Sequence, residues 1–87
     1  MNKGMSQSDY FELAKRRRAK IEEALKIGDI ITIDEGRFQG RHAAFLGFHP
    51  FGRDWMPFFD VIVPGETRKR QHFGPKTILR ILGIEDG

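Results

Sequence analysis

The sequence predicts a mainly β fold: a small five-stranded barrel preceded by one N-terminal amphipathic α-helix. Three observations lead there. Residues 8–27 contain no Gly or Pro and are rich in Ala, Leu, Glu, Lys and Arg, all of which favour helix. From Gly28 onward the apolar spacing shortens and turn residues recur every several positions, which is the grammar of short strands. The chain is 87 residues long, enough for one small domain but not for a two-lobed cleft or a dinucleotide fold.

The helix comes first. Ser6 or Ser8 can cap its start, Asp9 and Glu12 suit its first turn, and Lys26 with Gly28 suits its end. Phe11, Ala14, Ile21 and Leu25 fall on one stripe, interrupted by Arg18, with Leu13 and Ala24 on its shoulders. At about 100° per residue the triplet Arg16-Arg17-Arg18 cannot lie along one edge, so it reads as a solvated surface with Arg18 snorkelling to water. Residues 1–7 are read as a disordered N-terminus or an appended stretch, since Met5 follows Met1-Asn2-Lys3-Gly4.

Strands are expected near residues 29–34, 41–48, 57–63, 67–73 and 78–82, making residues 28–83 the barrel and 84–87 a C-terminal tail. Glu35-Gly36 and Gln39-Gly40 make the first connection, His49-Pro50-Phe51-Gly52 opens a second, and Val63-Pro64-Gly65-Glu66 is a β-turn sequence. Gly74-Pro75 stops the fourth strand, leaving Lys76 and Thr77 for a tight turn before the fifth. Alternation places Ile31, Ile33, Ala43, Phe45, Phe59, Val61 and Val63 on an inner face. The opposite face would carry Ile30, Ala44, Leu46, Phe48, Phe58 and Ile62, too apolar to be left to water. Either the N-terminal helix covers it or it is a partner site.

The run Gly28-Asp29-Ile30-Ile31-Thr32-Ile33-Asp34-Glu35-Gly36-Arg37-Phe38-Gln39-Gly40 resembles the opening of a KOW motif. That pattern is glycine-aspartate, alternating β-branched residues, a glycine, an aromatic and a further glycine. Here Ala43 stands where the family usually has another glycine, and residues 49–56 make a longer, more aromatic connection. The resemblance implies an SH3-like barrel of the kind found in NusG-type elongation factors and ribosomal proteins. It also implies contact with RNA or protein in the transcription or translation machinery.

Charge sharpens the functional reading. The whole chain has a formal charge of +3, but from Arg37 to Leu82 eight basic residues meet only Asp54, Asp60 and Glu66, giving +5. In residues 67–73 alternation puts Arg68, Arg70 and His72 on one face, and Lys69, Gln71 and a core-facing Phe73 on the other. The arginines form a short row suited to phosphate, or else charge an edge strand against pairing with other chains. Phe51, Arg53 and Trp55 offer stacking surfaces and charge in one loop, or the rings fold back to cap the barrel. Arg37 and Phe38 repeat the theme, with Phe38 read as structural and Arg41 adding charge.

No cysteine is present, which removes disulfides, thiolate metal sites and thiol catalysis together. His42, His49 and His72 match no zinc spacing, and neither a catalytic triad nor a phosphate loop appears. The expectation is therefore a non-enzymatic, cofactor-free, cytoplasmic module with no membrane span. It binds nucleic acid, RNA before DNA, through Arg37, Arg41, Phe51, Arg53, Trp55, Arg68, Lys69 and Arg70. The alternative is a protein-interaction module holding a partner segment on the aromatic loop and sheet edge.

Overall fold

The helix-favouring N-terminal stretch and the strand-favouring middle form separate layers. The computed structural model describes residues 7–86. In chain order it contains α1 (Gln7–Ala24), β1 (Ile30–Thr32), a 3-10 turn (Gly36–Phe38), β2 (His42–Phe51), β3 (Asp54–Ile62), β4 (Lys69–His72) and α2 (Pro75–Leu82). Residues 1–6, most of the stretch set apart in the sequence reading, lie outside the described residues, and so does the expected cap Ser6. Ser8 is inside the helix.

The strands form one antiparallel sheet in the order β1-β2-β3-β4, with β1 and β4 as its edges. The expected five-stranded barrel is not formed. Two features account for this. β1 is only three residues long, and the segment expected as the fifth strand is the helix α2. Pro75 occupies the first turn of α2, where its missing N–H costs nothing. Gly83 ends it with φ +73, Gly83 N–H donating to Arg80 C=O and Ile84 N–H to Leu79 C=O in a Schellman motif. Ile78, Leu79 and Leu82 recur at helical spacing, and Ile78 and Leu79 are buried. A helix folded back on the sheet fills the volume that a closing strand would have enclosed.

Both helices cover the same face. Ile21 and Leu25 meet Ile31, Ile33, Ala43, Phe45, Phe59 and Val61 of the sheet and Ile78 and Leu79 of α2 in a single core. The other expectation for α1, that it would lie over Ile30, Ala44, Phe58 and Ile62, is therefore reversed: it packs on the inner set, and those residues line the uncovered face. Phe48 is the exception. The β2–β3 register slips between Phe45 and Gly47, so Leu46 is an extra residue and Phe48 turns toward the helices, where it is buried.

Gly47 makes that bulge possible. Its φ is +93, and a Cβ built there would lie 3.4 Å from Ile27 Cδ1. Gly47→Ala is expected to cost about 1–3 kcal/mol from the backbone conformation alone, read as a lower urea midpoint with an unchanged slope.

Two arginines tie the C-terminal segment to the rest through ion pairs. Arg17 grips Asp86 with two bonds (2.6 and 2.8 Å), and Lys20 Nζ donates to Glu85 C=O at 2.7 Å. Arg80 grips Asp34 likewise (2.6 and 3.0 Å) and reaches Glu35 at 2.7 Å. The tail expected at 84–87 is thus docked as far as Asp86, with Ile84 against the core. Hydrogen bonds from Arg17 hold the Asp86 carboxyl below the usual carboxylate range, and those from Arg80 do the same for Asp34. Because these folded-state pKa values lie below the unfolded ones, the stabilisation is complete above the unfolded value of about 3.9 and is lost as pH falls through the folded values. The urea midpoint should therefore drop on acidification below about pH 4. Asp34→Asn with Asp86→Asn should flatten that drop.

Candidate nucleic-acid interface

The face that the helices leave open is built in rungs by the register of the four strands. Thr32, His42 and Ile62 share one rung, followed by Ile30, Ala44, Asp60 and Arg70. Gly47, Phe58 and His72 come next, then His49 with Met56, and last Phe51 with Asp54 beside the hairpin turn. Period-2 alternation puts these residues on one side of the sheet, except that at the hairpin tip Asp54 and Met56 also border the α1 side.

At the hairpin end of this face the rings gather. Phe51 lies on His72 with centroids 4.0 Å apart, and His72 lies 5.6 Å from Phe58. Phe58 also meets the ring edge of His49 at 5.7 Å, and the Arg70 guanidinium sits over its face at 4.9 Å. Phe51 is 50% exposed, while Phe58 and His72 are half-buried. His49 is oriented by donating from Nε2 to Leu46 C=O at 3.0 Å, so the bulge carbonyl sets one ring of the group. At the opposite end Thr32 Oγ1 and His42 Nδ1 are 3.1 Å apart. Asp60 stands directly across from Arg70, adding an acceptor beside the rings.

The predicted residues divide among four places. Phe51 and Arg70 meet on the open face through Phe58 and His72. Arg68, just before β4, is exposed at the same edge. Lys69 is exposed too, but its register with Val61 points it toward the helix side, where its Nζ lies 3.9 Å from Glu66. Arg53 and Trp55 belong to the other side of the hairpin and face α1. Arg37 lies within the 3-10 turn and Arg41 just before β2, at the end of that strand remote from the rings. Phe38 is buried there, with the Arg37 guanidinium 5.0 Å above its ring.

The aromatic segment expected as a loop is instead the end of a long hairpin, with Phe48↔Pro57, His49↔Met56, Pro50↔Trp55 and Phe51↔Asp54 paired. This pairing sends Phe51 and Trp55 to opposite faces. Phe58, His49 and His72 were absent from the expected binding set. Phe58 had been placed on the apolar outer face, and His72 in the row with Arg70, so the signal was present. What was missing was the register that joins them to Phe51. Arg18 also differs from expectation: it lies over the rings of Trp55 and Phe48, at 4.9 and 5.3 Å, rather than reaching out to water.

Among the described residues no three His, Asp or Glu side chains come together as a metal site, and no helix is long and apolar enough to cross a membrane. Compared with protein-family models, curated proteins and solved structures, the chain matches none of them at a significant level.

Proposed function

We propose that the open sheet face binds single-stranded nucleic acid, RNA in preference to DNA. The observation that carries this reading is the cluster of Phe51, Phe58 and His72 with Arg70, on a face that no helix covers. A strip of rings offers stacking to bases only when those bases are unpaired, which favours single strands over duplex. Arg70 and Arg68 stand at the β4 edge, where a strand stacked on the rings brings its phosphates past their guanidinium groups. Asp60 and the three histidines supply hydrogen-bonding groups for base edges and for the 2′-hydroxyls that distinguish RNA.

Fluorescence anisotropy of a labelled octauridylate tests this reading. Binding is expected to saturate and to weaken between about 50 and 200 mM salt, with duplex DNA binding more weakly. Replacing Arg68 and Arg70 together should lower the slope of log affinity against log salt by about 1.4, at about 0.7 per phosphate contact for a single strand. Affinity that ignores both salt and the double replacement would remove the proposal.

A further inference from the structure

A second concavity lies on the other side of the hairpin. Between the first turns of α1 and the tip of β2–β3 is a cleft of about 570 Å³, within the range of sites that hold a compact ligand or a peptide anchor. Its apolar surface comes from Tyr10, Phe11, Ala14, Phe48, Trp55 and Met56. Three of these are large rings standing about half exposed: Tyr10 at 49%, Phe11 at 48% and Trp55 at 51%. Lys15, Arg18, Arg53 and Asp54 border the same cleft; Lys15 lies 3.9 Å from Glu12 and Arg18 3.5 Å from Glu22, both exposed pairs, while Arg17 is taken up by Asp86.

We infer that this cleft is a protein-docking site that takes an acidic peptide segment anchored by a large apolar side chain. The apolar lining asks for an aliphatic or aromatic anchor, and the cationic border asks for carboxylates beside it. A nucleobase fits less well. The Trp55 face is already stacked by Arg18, which Glu22 holds at 3.5 Å. A second copy of this chain, with a net charge of +3, complements a cationic border poorly. The cleft includes none of Phe51, Phe58, Arg70 and His72, so the inference stands whether or not the open face binds nucleic acid.

Trp55 is the sole tryptophan of the chain and forms one wall, so its emission reports on the cleft. The probe is a short synthetic peptide of Asp and Glu carrying Leu and Phe four residues apart. The controls are the same peptide with Ala anchors, the same with Lys replacing the acids, and octauridylate. The acidic anchored peptide should shift Trp55 emission to the blue and saturate. Ala anchors should weaken it about 10- to 100-fold, and the Lys peptide should give no response. Ala14→Glu, which places a carboxylate in the cleft, and Arg53→Glu at the exposed turn should each weaken the peptide at least about tenfold. Both should leave octauridylate anisotropy unchanged, and Phe51→Ala should leave the peptide response unchanged. Equal binding of the acidic and Lys peptides, no saturable response, or indifference to both charge reversals would overturn the inference. So would octauridylate saturating the Trp55 signal, which assigns the cleft to nucleic acid instead.

Discussion

Phe51→Ala is expected to weaken octauridylate binding about 5- to 150-fold, the range set by about 1–3 kcal/mol for a lost base-stacking ring. The ring stands half exposed at the end of the hairpin and stacks on His72, so its removal strips a ligand surface and leaves the core intact. The urea midpoint should consequently move by no more than corresponds to about 1 kcal/mol. Trp55→Ala is the informative partner variant. Trp55 lies only four residues on, but pairs with Pro50 on the opposite side of the hairpin, so its loss should leave octauridylate affinity within about twofold. Equal losses from the two variants would mean that the ligand encloses the hairpin rather than lying on one face.

The second large effect concerns stability. Phe59 is fully buried against Phe45 and Phe73, with ring centroids 5.2 and 5.7 Å away, and it sits at the centre of the core under the helices. Phe59→Ala should cost about 3–5 kcal/mol. A domain of this size commonly has about 4–13 kcal/mol in total, so the variant should melt far below the wild type or fail to give a cooperative transition. Phe58→Ala, one residue away on the open face, should cost much less, because that ring is already partly in water. Circular dichroism melts of the pair measure the asymmetry of the sheet. Similar losses from both would mean that the second face is covered as well.

Much of the architecture was legible in particular residues. The absence of Gly and Pro from Ser8 to Ile27 marked the helix, and Pro64-Gly65 marked a turn that closes with Glu66 N–H donating to Val63 C=O at 3.0 Å. Ile31, Ile33, Ala43, Phe45, Phe59 and Val61 were assigned to one face by alternation, and they form the core. The failures came where short-range grammar is ambiguous. Ile78-Leu79-Arg80-Ile81-Leu82 reads as a strand by its β-branched content, yet Pro75 and Gly83 bracket it as a two-turn helix. That one segment separates a closed barrel from an open sheet, and with it decides which face stays uncovered.

The site was harder to read because it depends on pairing across strands. Phe51 and Trp55 are near neighbours in sequence and suggested one aromatic loop, but a two-residue turn at Gly52-Arg53 pairs the flanking residues and sends the two rings apart. Local periodicity does reveal that Arg70 and His72 share a face. It does not reveal that Phe58 pairs with His72, or that the bulge at Leu46 restores Phe51 to their side. Register is fixed by the whole sheet, and a one-residue slip moves every later side chain to the other face.

The most direct test of the central claim is residue-resolved. Backbone and side-chain NMR shifts followed during titration with octauridylate should change along the open-face rungs, largest at Phe51, Phe58, Arg70 and His72. Ala14, Ile21, Trp55 and Ile78 on the helix side should stay nearly still. Shifts concentrated on the helix side, or spread evenly over both faces, would contradict the assignment of nucleic-acid binding to the open sheet.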